Sequence, residues 1–383
     1  MALKAAEDGA DVMKMVLDEW EEKTIKRLVA ENKPVHILDV VDELPMKTIN
    51  VMFFGYDFIA RKDKEISELR NLSASIMSHV FGDKWAACLP FYHKFDTKAN
   101  RDLRMFQEKW LQFLLDYMSS NEREEGRGGV FDHVVKLASE DEPKLFQANL
   151  QSKQLVQTLI EIIFANQDIA GPSYGWMFAH LAVYPDIAKQ MAYQFSSKSL
   201  LEGNPDDARD SFIPDKATLD SEYEGVLNFL NESARVSPIL ILGSQAILDK
   251  ETKIGNQVFF PGTRISLDNY SINHHPKYWK SPEVFEPSRW NQLDEFTKRW
   301  CFSRFGNGVR TCPGMHYANL GMGNALLRLL TKYELVLADN DTLSASDSDK
   351  SLHTLHKDIP IDPNNVIVTP NIKVYVRQRQ NNI

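Results

Sequence analysis

One cysteine in this chain stands where it can do chemistry. The segment Phe305-Gly306-Asn307-Gly308-Val309-Arg310-Thr311-Cys312-Pro313-Gly314 is a glycine-rich loop that delivers Cys312 to the start of an apolar helix. A sulfur in that place meets backbone N–H groups and the positive end of a helix dipole, which favours the thiolate and suits a metal ligand. Gly308 and Gly314 let the backbone turn tightly around the sulfur and approach a flat cofactor closely. Arg310, two residues before the cysteine, is placed to pair with an anionic group on that cofactor.

Plainer readings compete with this one. A lone buried cysteine is usually a small apolar filler. Gly306-x-Gly308 hints at a dinucleotide loop, but no strand precedes it and the third glycine is absent. Zinc needs further thiols or imidazoles, and only His316 is close. One thiolate without companion ligands fits iron held in a macrocycle.

A second constellation lies upstream. Glu232 and Arg235 are three apart on one helix face, within reach of each other, and Arg289 is placed to fork onto the same carboxylate. In isolation such a pair is an ordinary exposed contact worth about a few tenths of a kcal/mol.

Taken together, the motifs resemble the cytochrome P450 superfamily. The Cys312 loop matches that family's haem-binding signature at every fixed position. Glu232-Ser233-Ala234-Arg235, preceded by Tyr223 and by Val226 to Asn231, resembles its Glu-x-x-Arg helix. Pro282-Glu283-Val284-Phe285-Glu286-Pro287-Ser288-Arg289-Trp290 resembles its Pro-Glu-x-Phe-x-Pro-x-Arg segment, in the same order along the chain.

The resemblance implies a mainly α fold with a small β part, arranged as a P450-like multi-helix fold. It implies haem b as cofactor, with Cys312 as the metal ligand and Phe305, Gly308, Arg310 and Gly314 beside the haem. Glu232, Arg235 and Arg289 become a structural cluster that locks the cysteine loop. The implied activity is monooxygenation of an apolar small molecule, with electrons from a reductase or ferredoxin. Lys298, Arg299, Arg304 and Arg310 would then form a basic surface for an acidic donor. Substrate would touch Ala165, Asp168 and Ile169 on a central helix, Ile239 and Leu240 in the segment Ile239 to Ser244, and a tip near Asp358 to Asp362.

The chain departs from the family pattern in three places. The central helix carries Ala165-Asn166-Gln167-Asp168-Ile169 where the usual segment is Ala-Gly-x-Asp-Thr. Asp168 matches the acid and becomes the candidate catalytic residue, although it also reads as an ordinary helix carboxylate. Ile169 replaces a threonine whose hydroxyl helps deliver protons, and it can neither donate a proton nor hold a water. That loss opens a reductase-independent isomerase, dehydratase or peroxygenase as an alternative. Pro172 in the same helix removes a backbone hydrogen bond and should kink it. Gln245 stands near the place of an arginine that binds a haem propionate. Finally, Asn32 to Gly55 resembles the family's fifth helix, so the resemblance covers only the later part of the usual fold and implies an N-terminal truncation. A truncated, non-catalytic P450-like binding protein is the remaining alternative.

The rest of the chain must position these residues. Its 383 residues carry 43% hydrophobic and 25% charged side chains, enough for a sizeable core. A net charge of −9, without long runs of one sign, argues against a nucleic-acid-binding surface. The apolar runs are too short to cross a bilayer, and the first residues read as a charged helix rather than a signal peptide. The resemblance places the protein on the cytoplasmic side, at a membrane where a longer form carries an N-terminal anchor. Cys88, Cys301 and Cys312 are too few for a disulfide framework and read as reduced intracellular thiols.

No linker or repeat divides residues 1–383, so one domain is expected. Asn121 to Gly129, Glu202 to Asp215 and Asp339 to Asp362 read as surface loops. Apolar spacing of three and four predicts helices around Val12 to Trp20, over Leu103 to Tyr117 and over Gln154 to Ala182. A hairpin closed by Pro-Gly turns is expected over Thr252 to Phe260. A helix is expected over Gly314 to Tyr333, and a strand over Asn364 to Arg377 with alternating Val366, Val368, Ile372, Val374 and Val376.

Overall fold

The structure, a computed structural model, describes residues 10–82, 94–120, 129–132, 169–202, 214–243, 245–308, 311–338 and 369–379. Its helices in chain order are α1 (Ala10–Trp20), α2 (Lys26–Glu31), α3 (Ile37–Val41), α4 (Leu44–Phe54), α5 (Tyr56–Ala60), α6 (Asp63–Gly82) and α7 (Lys98–Met118). These are followed by α8 (169–183), α9 (Pro185–Glu202), α10 (Lys216–Glu222), α11 (Glu224–Val236), α12 (Asn269–Asn273), α13 (Glu295–Trp300) and α14 (Met315–Lys332). Small antiparallel sheets complete a mainly α architecture.

The cysteine-bearing helix α14 is the central pillar. Every residue from Leu320 to Leu330 is buried, so the helix is apolar on most of its circumference, and its two buried polar side chains, Asn324 and Arg328, are hydrogen-bonded. It packs against α9, α10 and α11. Gly321 marks a close crossing: a Cβ there would sit 2.8 Å from the Tyr174 hydroxyl of α8 and 3.3 Å from the Met13 methyl of α1. Only glycine lets both helices approach at this level. Tyr317 on the next turn down donates to the Thr48 carbonyl of α4 at 2.8 Å.

The expected stripe on α1 is core: Met13, Val16, Leu17 and Trp20 are all buried. The helix widens into a π-turn at Glu21–Ile25 before α2. Glu21 is buried there and accepts from Tyr333 Oη at 2.8 Å and Arg328 Nη1 at 2.8 Å, both at the far end of α14. Burial alone would push the Glu21 carboxyl up. The Tyr333 hydroxyl, Lys332 and Arg328 outweigh that and hold it below its ordinary value.

Residues 32–55 differ from the single helix expected of them. Val35–His36 form strand β1, and two short helices follow. The break falls at Asp42, whose φ is 49° and whose carboxylate accepts from the Thr24 hydroxyl at 2.8 Å. Pro45 then opens α4 in its first turn, where a missing N–H costs nothing.

Strand β1 pairs antiparallel with the last strand, Lys373–Gln378, which pairs in turn with Tyr333–Leu337. Val374 and Val376 point inward and Lys373 and Arg377 outward, the alternation a half-buried strand demands. The described strand begins later than expected, and Val366 and Val368 lie outside the described residues. Thr252–Ile254 and Gln257–Phe259 make the expected hairpin. Its closing turn is Gly255-Asn256, with Gly255 at φ 59°, while Pro261-Gly262 forms the exit turn with Gly262 at φ 84°. Both glycines supply the positive φ a tight turn needs, and the pairing of Ile254 with Gln257 makes Gly255-Asn256 the two-residue loop.

The helix expected over Gln154 to Ala182 is described from residue 169 and runs to 183, through Pro172. Ser173 Oγ donates to the Ile169 carbonyl at 2.7 Å beside that proline. Cys88, Ala165, Asn166, Asp168, Val309, Arg310, the tip at Asp358 to Asp362 and most of the expected surface loops lie outside the described residues. Among the described residues no helix is long and apolar enough to cross a membrane.

Candidate functional site: a cysteine loop locked by a buried ionic cluster

The cysteine loop is built by glycine and closed by one backbone bond. Gly306 and Gly308 take φ values of 73° and 75°, a region that other residues enter only with strain. Their turn brings the Cys312 N–H to the Phe305 carbonyl at 2.9 Å. Thr311 caps the interior of the loop, its N–H and hydroxyl both donating to the Gly308 carbonyl, at 3.2 Å and 2.7 Å. Gly314 then caps α14, accepting from Ala318 N–H at 2.8 Å.

Cys312 is a free, exposed thiol, whereas Cys301 is buried against Trp279, Trp290 and Phe302. Among the described residues, a Cβ on Gly314 would meet only the Cys312 sulfur within 4 Å, at 3.8 Å, and one on Gly308 would meet nothing. The space over Gly314, next to the sulfur, and the space over Gly308 are both open among the described residues. A flat macrocycle with a metal at its centre fits that arrangement: one exposed sulfur donor and open glycine faces around it. Among the described residues no cluster of His, Cys, Asp or Glu forms an alternative metal site.

The Glu-x-x-Arg pair is buried and shared. Arg235 grips Glu232 with two prongs, Nε to Oε2 and Nη2 to Oε1, each 2.9 Å. Arg289 reaches the same carboxylate through Nε, at 2.9 Å from Oε1. It does not fork onto Glu232, because its Nη groups are spent on the carbonyls of Lys280, Ser281 and Val284. Trp290 Nε1 donates to Oε2 at 3.0 Å and Glu286 N–H to Oε1 at 2.9 Å. The remaining Arg235 donors go to the carbonyls of Asn273, Pro282 and Val284. Every charge in the cluster is thus compensated by several donors or acceptors, which burial requires.

Two further contacts carry this lock to the cysteine. Phe302 lies edge-on to Trp290 at 4.7 Å between ring centres, so the indole that holds Glu232 also seats the residues entering the loop. Arg304 was expected on a basic surface and is turned inward instead. Its Nη1 donates to Asn231 Oδ1 of α11 at 3.2 Å and to Asn319 Oδ1 of α14 at 3.0 Å. Burial pulls its guanidinium down to about 10, which leaves it charged at neutral pH. Of the other basic candidates, Arg299 is exposed and stacks on Trp300 at 5.0 Å, and Lys298 pairs with Glu295 at 3.3 Å.

Ile169, Ile239 and Leu240 are half-buried and take no part in the ionic cluster. Ile239 packs against the main core, and the Leu240 carbonyl accepts from Asn269 Nδ2 at 3.1 Å. Gln245 is exposed. Sequence reasoning missed the roles of Trp290, Asn231, Asn319 and His180. The His180 ring is fully buried, stacked on Phe285 at 4.6 Å with Nδ1 2.9 Å from Ser233 Oγ. It docks α8 on the Glu232 helix. Trp290 had a signal, its place directly after Arg289 in a recognised segment; the asparagines had none.

The cytochrome P450 family profile matches residues 10–361. The chain belongs to the cytochrome P450 family. It is 25% identical over 340 residues to a steroid 17-alpha-hydroxylase/17,20 lyase of Squalus acanthias, covering 83% of this chain and 62% of the relative. It is 22% identical over 324 residues to cytochrome P450 3A5 of Homo sapiens, covering 81% and 61%. Cytochrome P450 monooxygenase verC of Clonostachys rogersoniana is 22% identical over 305 residues, covering 78% and 55%. This P450 chain therefore spans about three fifths of the length of the curated relatives it matches.

Proposed function

We propose that this P450 chain binds haem b through the Cys312 thiolate and serves as a monooxygenase that oxidises an apolar small molecule. The observation that carries the reading is the exposed Cys312 thiol, held by its own N–H on the Phe305 carbonyl in a loop of positive-φ glycines at the head of a buried helix. Haem bound there supplies the oxygen-activating redox chemistry.

The chain's own residues supply the rest. Phe305, Gly308 and Gly314 shape the face on which the macrocycle lies, and Arg310 pairs with one of its carboxylates. Glu232, Arg235 and Arg289 hold the loop rigid from behind. Ile169, Ile239 and Leu240 offer apolar walls to substrate, which is how small-molecule sites are generally lined. Asp168 is the proposed proton carrier. A reductase or ferredoxin would dock on the cysteine side, where Arg299, Phe296 and Trp300 are exposed.

Ile169 supports a second reading. Its side chain offers no hydroxyl, and Ser173, one turn on, already spends its hydroxyl on the Ile169 carbonyl. A reductase-independent isomerase, dehydratase or peroxygenase needs no such relay. Product yield against reduced-nicotinamide consumption, measured for native and Ile169→Thr protein with a reductase and separately with peroxide, divides the two. The monooxygenase reading expects poor coupling that Ile169→Thr improves, since an unassisted proton delivery forfeits roughly a hundredfold of general-acid catalysis. Turnover with neither electron donor nor peroxide would contradict it and establish the isomerase.

A further inference from the structure

Arg304 stands one residue ahead of Phe305, whose carbonyl takes the Cys312 N–H. Its guanidinium lies 4.6 Å over the Phe305 ring, Nη1 is shared between the amide oxygens of Asn231 and Asn319, and Nη2 meets the Met322 sulfur at 3.4 Å. All four partners are neutral. Among the described residues no carboxylate pairs with this arginine, in contrast to Arg235, Arg289 and Arg328. Amide oxygens aimed at the guanidinium make its burial tolerable without neutralising its charge.

Asn319 sits in the second turn of α14, four residues past its first residue Met315, and Cys312 lies three residues before that start, so the guanidinium held by Asn319 stands on the order of 10 Å from the sulfur. A unit charge at about that distance, at an effective dielectric of about 20, shifts a one-electron equilibrium by roughly tenfold.

We propose that Arg304 is a positioning residue of the cysteine loop that also places one uncompensated positive charge behind it, favouring the reduced over the oxidised metal. The two asparagines tie the Phe305 end of the loop to α11 and α14 through this one fork. The charge they hold in place favours the state with one more electron. This inference rests on the haem-thiolate reading of Cys312.

The test is a spectroelectrochemical titration of the full haem-loaded chain, native and as Arg304→Met, Arg304→Gln and Arg304→Lys. The neutral variants should lower the midpoint potential by a tenfold shift in the one-electron equilibrium, about 59 mV. Arg304→Lys, which keeps the charge, should stay with the native protein. Should Arg304→Met fail to retain haem, Arg304→Gln carries the same measurement, since it keeps an amide donor toward Asn319. Neutral variants with the native potential, or a lysine variant that falls as far as the neutral ones, would overturn the charge role. A native protein without the spectroscopic signature of a thiolate defeats the haem-thiolate reading itself. With that signature present, unmoved potentials defeat only the role given to Arg304.

Discussion

Arg235 and Glu232 form a two-pronged ion pair in which neither side chain is exposed to solvent at all, 0% for both. Three residues apart on α11, they cannot avoid each other, but the depth of burial changes what the pair is worth. An exposed pair at this spacing contributes about a few tenths of a kcal/mol. A buried one, once broken, leaves a charge without water or partner and costs on the order of 3–5 kcal/mol. Glu232→Ala should therefore give aggregated or haem-free protein, read by urea unfolding and by haem content. A Glu232→Ala variant that folds, holds haem and loses only turnover would place Glu232 in the chemistry instead.

The indole of Trp290 allows a milder probe of the same lock. Trp290→Phe keeps the ring against Phe302 but removes the donor to Glu232 Oε2, a bond to a charged group worth about 1.5–3 kcal/mol. The unfolding free energies of Trp290→Phe and native protein from urea titration should differ by that amount, seen as a lower urea midpoint, with the CO-complex spectrum unchanged. Equal midpoints would mean that the two arginines saturate the carboxylate alone.

The crossing of α14 with α8 gives a prediction about packing alone. Gly321→Ala puts a methyl 2.8 Å from the Tyr174 hydroxyl, and overpacking of this kind costs about 1–3 kcal/mol. Tyr174→Phe should remove the clash, so the double variant should be more stable than Gly321→Ala. A double-mutant cycle read by thermal unfolding checks this, and strictly additive effects would show that the helices yield freely.

Which parts of this arrangement were legible in the sequence follows from where the partners lie. The cysteine loop and the Glu232 pair are local: the glycines, the sulfur and the i,i+3 spacing are adjacent in the chain, so their types alone specify their geometry. Arg304 was not legible, because its partners Asn231 and Asn319 lie 73 and 15 residues away. An arginine in a run with Lys298 and Arg299 reads as surface until the fold turns it inward. Residues 32–55 carry enough apolar spacing for one helix, but the Thr24 bond that holds the break at Asp42 comes from another helix. The hairpin turn was placed correctly in span and wrongly in pair, since Gly255-Asn256 and Pro261-Gly262 are both turn formers and only the strand register chooses between them.

Acid should loosen the end of α14 remote from Cys312. Glu21 is held below its ordinary carboxylate value of 4.5, so the stability it contributes is fully present above that pH and is lost as pH falls through its lowered folded value. Asp18 is also lowered: burial would raise it, and its bonds to Lys14 and Arg328 and their charges prevail. Thermal midpoints should fall on acidification below pH 4.5, and Glu21→Gln should start lower and show a shallower acid slope. An unchanged slope in Glu21→Gln would take the acid sensitivity away from this cluster.

Haem-thiolate chemistry at this site depends on the sulfur of Cys312, and the absorption spectrum of the reduced carbon monoxide complex reads that sulfur most directly. Haem-loaded native protein should show the red-shifted Soret band of thiolate ligation, and Cys312→Ser should lose it while Cys301→Ser keeps it. A native spectrum without the shift, or a Cys312→Ser variant that retains it, would contradict the assignment.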